Sequence, residues 1–359
     1  MMLHTLHCRR FRGLADTTFT PGPGVNIIYG ANAQGKTSVL EAILYAATTR
    51  SHRTTTDAEL ARHEGHEFHI VANATRGNSP VTIEAHWWKG AKRFKVNSAT
   101  QARLSDILGQ LCVVFFAPED ITLVKGAASG RRLFLDMELS QLYPVYLRAL
   151  QQYRHALRQR NELLRQHRDD TEMLAVWEAQ LSEHGGVLMR MRAETITELS
   201  EIAADLYGRL VADEPLALTY QPDVGAPDAI AETLARARTT DLNRGNTGRG
   251  PHRDEMDIRI GDKSARAYGS QGQQKSVALV LKLAEVMLMQ RHIGEYPVVL
   301  LDEAPAELDS NRAQRLFTVI PDAAQAIITT AQPIELLPLS RENATLFQIE
   351  GGCLEPGTH

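Results

Sequence analysis

Apolar residues change their spacing several times along this chain, and each change predicts an element. Residues 24–29 form a short, β-rich apolar run that stops at Gly30, and residues 38–44 then place apolar side chains at helical intervals. Strand, loop and helix therefore follow one another. Residues 142–210 repeat Leu, Tyr, Trp and Met at intervals of three and four with a polar break at residues 167–170, which predicts an antiparallel helical hairpin. Gly185-Gly186 is expected to break the second arm again. Residues 87–95 interleave aromatic and cationic side chains around Gly90, the pattern of a β-hairpin. Residues 277–289 read as a long helix opened by a Ser/Gly/Gln loop. Residues 296–301 are an apolar run that ends at Asp302-Glu303, which predicts a parallel strand buried on both faces and presenting acids at its carboxyl end.

This order of elements predicts an α/β fold, and 359 residues exceed the usual size of one domain, so two lobes or one domain with a large insertion are expected. No apolar run approaches the roughly 20 residues that span a bilayer, and the first ten residues lack the apolar stretch of a signal peptide. A cytoplasmic protein without a membrane partner is the expectation. Cys8, Cys112 and Cys353 are far apart and form no CxxC pair, so they predict buried thiols in place of a disulfide framework or zinc site. A formal net charge of -4 confines any nucleic-acid contact to local patches.

The loop between the first strand and helix carries the clearest chemistry. In Gly30-Ala31-Asn32-Ala33-Gln34-Gly35-Lys36-Thr37, glycines at both ends permit a tight backbone path whose N–H groups turn inward around an anion. Lys36 is placed to neutralise β- and γ-phosphates and the Thr37 hydroxyl to ligate Mg²⁺, with Ser38 completing the candidate nucleotide ligands. Far along the chain, Asp302 is the second candidate Mg²⁺ ligand, and Glu303 is placed to orient and polarise an attacking water. Shortly before them, Ser270-Gln271-Gly272-Gln273 opens a helix with a hydroxyl, free backbone donors and a positive dipole end, which suit a γ-phosphate as well as a simple helix cap.

These motifs together resemble the ATP-binding-cassette (ABC) ATPase superfamily, whose LSGGQ-type signature precedes the Walker B strand at about this distance. Ser270, Gly272 and Gln273 fit that form, and the variant with Gln271 resembles the RecF family of bacterial recombinational-repair proteins. Further similar segments are Phe11-Arg12-Gly13, Arg50-Ser51-His52-Arg53-Thr54, Pro118-Glu119-Asp120, Leu123-Val124-Lys125-Gly126, Arg131-Arg132-Leu133-Phe134-Leu135-Asp136, Gly250-Pro251-His252-Arg253-Asp254 and Glu307-Leu308-Asp309. The resemblance implies an ABC-type, SMC-like ATPase head with a mixed sheet and Walker motifs, formed by residues 1–117 and 265–359, and an inserted, mainly helical lobe at residues 118–264. It implies ATP and Mg²⁺ as ligands, Asp309 as a further nucleotide contact, and a homodimer in which the Ser270 loop reaches the γ-phosphate held by the other chain. It implies work on double-stranded and gapped DNA with RecO and RecR, helping to load RecA. Glu303 stands where many of these sequences carry Asp, and Ala304-Pro305-Ala306 departs from their pattern. Residues 326–332 contain no switch histidine and residues 117–120 no Q-loop glutamine, so the implied hydrolysis is slow, with Thr330 or Gln332 as substitutes for the histidine. A transporter nucleotide-binding subunit and a chromosome-organising SMC-like head are the alternatives; the first normally carries LSGGQ with its histidine, the second a long coiled coil.

Positive charge collects in several places. Candidate DNA contacts are Arg50 and Arg53 after the phosphate-loop helix, Lys89, Lys92, Arg93 and Lys95 on the hairpin, and Arg131, Arg132, Arg154 and Arg158 in the helical lobe. Arg9 and Arg10 add charge near the first strand, while Arg12 is read either as part of that patch or as facing nucleotide. The first helical arm carries six arginines against one acid and the second arm is acidic, so the two arms either neutralise each other or leave an arginine face for phosphate. His63, His66 and His69 lack a metal-site spacing, and His252-Arg253-Asp254 is not a kinase loop because Arg259 stands where its asparagine is needed.

Overall fold

A computed structural model of the chain describes residues 1–62, 65–166, 170–211, 214–303, 321, 323–331 and 344–357. The readings made for His63, for residues 167–169 and 304–309, including Asp309, and for Gln332 lie outside the described residues. Strands β1 (Met2–Arg9), β2 (Thr17–Phe19) and β3 (Val25–Tyr29) lead into helix α1 (Lys36–Thr48). Strands β4 (Glu67–Arg76), β5 (Ser79–Trp88), β6 (Ala91–Val96), β7 (Ala99–Thr100) and β8 (Val113–Phe116) follow. Next come helices α2 (Ile121–Lys125), α3 (Ala128–Leu142), α4 (Pro144–Arg165) and α5 (Thr171–Leu210), then β9 (Leu216–Gln221) and α6 (Ile230–Arg244). The chain continues through β10 (Glu255–Ile260), β11 (Lys263–Ser264), α7 (Ala265–Tyr268) and α8 (Gln271–Ile293). It ends with β12 (Val298–Asp302), β13 (Ala326–Thr330), β14 (Ala344–Glu350) and β15 (Cys353–Pro356).

These elements divide into two units, residues 1–120 with 282–359, and residues 121–281. The anticipated boundaries at 117/118 and 264/265 differ from this division. Helix α8, 23 residues long, begins in the second unit and ends in the first, so the return occurs within a continuous helix and not at a loop.

Among the described residues the first unit holds two six-stranded sheets. One is antiparallel, in the order β2-β1-β4-β5-β6-β7; the other runs β15-β14-β3-β13-β12-β8, with only its edge strand β15 antiparallel to its neighbour. Alternation in β4 puts Phe68, Ile70, Ala72 and Ala74 on one buried face and leaves Glu67, His69, Asn73 and Thr75, with Val71 among them, on the other. In contrast β12 is buried at every position, as its unbroken apolar run requires. Helix α1 packs against both sheets. Its Tyr45 meets Phe68 edge-on at 5.4 Å, and Phe68 stacks on Trp87 at 5.8 Å, so aromatic rings join helix and antiparallel sheet. The predicted hairpin forms between β5 and β6: Lys89 (φ 46) and Gly90 (φ 88) make the two-residue turn, Trp87 is buried and Trp88 is exposed.

The second unit contains the helical hairpin of α4 and α5 and a three-stranded antiparallel sheet, β11-β10-β9. The expected break at Gly185-Gly186 is absent, and α5 runs through both residues. The glycine serves close packing: a Cβ on Gly185 would meet Tyr153, Ile230 and Pro251 at 3.1, 3.1 and 3.2 Å. Gly185→Leu is therefore expected to destabilise this unit by about 2 kcal/mol through overpacking. Urea denaturation followed by helical circular dichroism measures it, and an unchanged midpoint would contradict the packing role. Between the arms, Arg160 is fully buried and bonds Glu178 (3.1 Å), Asp241 (2.7 Å) and Thr247 (2.8 Å). Part of the arginine excess is thus consumed inside the lobe, while Arg148 and Arg158 remain exposed.

Candidate functional site

The phosphate loop leaves the carboxyl end of β3 at Gly30 and enters α1 at Lys36. A Cβ on Gly30 would lie 2.5 Å from the carbonyl oxygen of Ile349, so only glycine fits there. Gly35, at φ 108, caps the helix in a conformation that L side chains avoid. Ala33 holds a left-handed backbone at φ 66, and the Gln34 side-chain oxygen accepts from Gly351 N at 2.7 Å, which fastens the loop to the β14–β15 turn. Ala31, Asn32 and Ala33 are exposed, and Ser38 is buried in the first turn of α1.

Tertiary structure brings the distant acids to this loop. β13 separates β3 from β12, and Asp302 at the end of β12 meets the start of α1. Thr37 Oγ1 donates to Asp302 Oδ1 at 2.8 Å, and Thr329 Oγ1 on β13 donates to the same oxygen at 2.7 Å. Thr37 and Asp302 therefore offer adjacent hard oxygen donors, a set that fits Mg²⁺ better than a softer metal. Lys36 is 4% exposed; its ammonium donates to the carbonyls of Gly30 (2.9 Å) and Ala31 (3.1 Å) and lies 3.4 Å from Glu303 Oε1. Glu303 itself has a left-handed backbone, φ 51, held by its N–H donating to Thr329 O (3.2 Å) and Oγ1 (3.1 Å). A non-glycine residue in that region carries strain, here at an acid placed beside the phosphate loop.

Glu41 and His52 are two neighbours of the site with no role assigned from sequence. Arg12 grips the fully buried Glu41 of α1 through two bonds, 2.9 and 2.8 Å, and Ser51 also donates to that carboxylate. Burial alone would raise the Glu41 carboxyl, but the bonds from Arg12 and Ser51 and the Arg12 charge hold it below its ordinary value. His52 packs its ring on Phe115 at 4.3 Å, and its buried Nδ1 has no hydrogen-bond partner among the described residues. Burial lowers its pKa, opposed by the negative charges of Glu41, Asp302 and Glu119. No short-range sequence signal marks this pairing, since Glu41, Phe115 and Asp302 come from three separate elements.

In the second unit, Ser270 and Gln273 form a reciprocal capping box at the start of α8. Gln273 N donates to Ser270 Oγ at 3.2 Å, and Ser270 N donates to the Gln273 side-chain oxygen at 2.8 Å. The cap uses the serine hydroxyl only as an acceptor, so its proton is available to an anion. Ser270 and Gln271 are exposed and Gly272 half-buried, as a site for an external ligand requires.

The expected DNA contacts separate by environment. Arg50, Arg53, Lys89, Arg93 and Arg158 are exposed. Lys92 pairs with Asp57 at 3.0 Å, Lys95 with Glu84 at 3.0 Å and the half-exposed Arg154 with Asp136 at 2.8 Å. Arg132 donates to the Asp254 carbonyl at 2.7 Å. Arg131 requires correction: it is 3% exposed, bonds Glu255 at 2.6 and 2.7 Å and donates to the Leu123 and Gly126 carbonyls, so its charge is internal and presents nothing to a phosphate. Among the described residues no group of three or more His, Cys, Asp or Glu could hold a metal, and no helix is long and apolar enough to cross a membrane.

Comparison with known proteins gives consistent matches over nearly the whole chain. The family model for the RecF/RecN/SMC N terminal domain covers residues 2–353. The DNA replication and repair protein RecF of Streptococcus pneumoniae strain CGSP14 is 39% identical over 360 residues, which cover 98% of each chain. Among solved structures, the recombination mediator protein RecF-ATP of the RecFOR pathway superposes with a TM-score of 0.92 at 29% identity, covering 99% of this chain and 98% of the other. The RecF-ATPrS structure gives 0.91 at 30% identity with the same coverage.

Proposed function

The chain belongs to the RecF family, with the ABC-type, SMC-like ATPase head fold, and on that premise we propose that it is an ATP-switched DNA-binding protein of recombinational repair and replication restart. The observation that carries the nucleotide half of this reading is the convergence of Thr37, Asp302 and Thr329 on one oxygen beside the Lys36–Glu303 pair. Residues 30–38 cradle the phosphates of ATP, the ligand of the related RecF-ATP structure. Lys36 exchanges the Gly30 and Ala31 carbonyls and Glu303 for phosphate oxygens, which frees the Glu303 carboxylate to accept a proton from water attacking the γ-phosphorus as the bond to the ADP oxygen breaks. Thr37 and Asp302 would hold Mg²⁺, which would neutralise charge on the phosphate oxygens.

Ser270, with the exposed amino end of α8, recognises the γ-phosphate held by a second copy of the chain, so ATP closes a head-to-tail homodimer. The closed dimer grips double-stranded DNA near single-strand gaps, works with RecO and RecR, and helps to load RecA; slow, DNA-stimulated hydrolysis releases it. Membership of a family with RecFOR-pathway structures supports these partners.

Sedimentation with and without ATP and duplex DNA tests the mechanism. Ser270→Arg is expected to leave the protein monomeric with ATP, because a bulky cation replaces the hydroxyl donor. Glu303→Gln should keep ATP binding, slow phosphate release by about a hundredfold or more and prolong the dimer. A Ser270→Arg protein that still dimerises with ATP removes the composite site, and rapid turnover by Glu303→Gln removes Glu303 from its role toward water.

A further inference from the structure

The polar face of the antiparallel sheet carries an ordered row of basic groups. Strand register places Arg9 opposite His69, His69 opposite His86, and His86 opposite Arg93, so one residue from each of β1, β4, β5 and β6 stands in line. The two imidazoles meet edge-on with centroids 5.8 Å apart. Around them is a shallow cavity of about 300 Å³ lined also by Arg10, Glu67, Glu84 and Lys95. Three inter-strand gaps give the row a length of about 14 Å, long enough to follow a short stretch of phosphodiester backbone.

We propose that this row is a binding groove for the phosphodiester backbone of nucleic acid, with Arg9 and Arg93 as fixed anchors and the His69 and His86 rings as hydrogen-bond donors between them. The proposal rests on the DNA-binding reading above and assigns it a surface and a regulation. The two glutamates are already engaged, Glu84 with Lys95 at 3.0 Å and Glu67 with Arg10, while Arg9 has only an exposed contact with Asp16 at 3.4 Å. Among the described residues Arg93 has no ion-pair partner, so its guanidinium is available for a bidentate phosphate contact.

His69 makes the groove responsive to protons. Burial lowers the pKa of His69, and positive charge on His86, Arg9 and Lys95 lowers it further, against the pull of Glu84. His86 has Glu67 at 3.9 Å on its other side. Protonating His69 sets a further positive charge beside Arg9 and Lys95, which is unfavourable until an anion lies against the ring. A bound phosphate therefore raises the His69 pKa, and the complex holds more protons than the free protein. Affinity is then greatest below the free pKa and is lost as pH rises through the pKa of the complex.

Fluorescence anisotropy with a labelled duplex, in the presence of ATP and at constant ionic strength, tests the groove between about pH 6 and about pH 8. The unmodified protein is expected to bind about threefold to tenfold more tightly at the acidic end. The variant His69→Gln should flatten that slope while retaining binding at the alkaline end. Arg93→Glu should weaken binding about tenfold throughout. Inorganic phosphate at matched ionic strength should displace duplex no better than chloride does; selective displacement by phosphate would make this a small-anion site and overturn the assignment. A slope unchanged in His69→Gln, or full affinity in Arg93→Glu, overturns the groove but leaves DNA binding elsewhere intact. Absence of duplex binding by the unmodified protein at every pH defeats both readings.

Discussion

Lys36→Ala is expected to abolish ATP-dependent assembly and reduce nucleotide affinity by about a hundredfold or more. The ammonium is 4% exposed and is the one described cation within ion-pair distance of Glu303 in the site, 3.4 Å away. Without it, bound phosphate charge and the Glu303 carboxylate repel each other across the loop. The loop itself should survive, since Gly30, Gly35 and the Gln34–Gly351 bond set its path independently of the lysine. Titration with a fluorescent ATP analogue reads the affinity, and a thermal melt checks that the fold persists. Near-normal affinity in a folded Lys36→Ala protein would falsify the phosphate-loop assignment. Loss of affinity together with loss of the cooperative melt would instead assign Lys36 a mainly structural role.

Arg160→Ala is expected to produce the largest loss of stability, about 3–5 kcal/mol from the second unit. The residue is fully buried, and its removal leaves Glu178 and Asp241 with side chains 4% and 2% exposed. Glu178 retains Arg238 at 2.6 Å, so Asp241 is the more damaged partner; its remaining support includes Gly248 N at 3.0 Å. Arg160→Met preserves more volume but still strands the charges, and should be nearly as harmful. Combining Arg160→Met with Asp241→Asn should recover part of the loss, because the stranded charge, more than the missing volume, sets the cost. Chemical denaturation of the full chain, followed by helical circular dichroism, distinguishes these outcomes. A loss below about 1 kcal/mol in Arg160→Ala would show that water or rearrangement satisfies the acids.

The same lobe explains why charge counts alone misjudge a surface. Arg131, Arg154, Arg158 and Arg160 are alike in sequence as helical arginines, yet Arg131 and Arg160 are buried, Arg154 is half-exposed on Asp136 and Arg158 is exposed. Their difference comes from partners at Glu255, Asp241 and Glu178, which lie from 18 to 124 residues away. Gly185 teaches a similar lesson. Paired glycines suggest a helix break on local propensity, but tertiary packing against Tyr153, Ile230 and Pro251 uses the missing side chain and keeps α5 continuous.

By itself the sequence determined the contiguous parts: the β3-loop-α1 unit, the buried strand ending at Asp302, the β5–β6 hairpin and the capped start of α8. Each depends on backbone preferences and apolar periodicity within a few neighbouring residues, so its cause lies inside its own segment. Tertiary structure alone decided that Thr37 and Thr329 share an oxygen of Asp302, that Lys36 pairs with Glu303, and that Arg12 turns to Glu41. It also aligned Arg9, His69, His86 and Arg93 through strand register. These contacts follow from which strands adjoin and in what register, and a one-residue slip would turn the row of cations into the core. The phosphate loop is legible from its own residues because it is local; its acids and the basic row acquire their geometry only when distant strands pair.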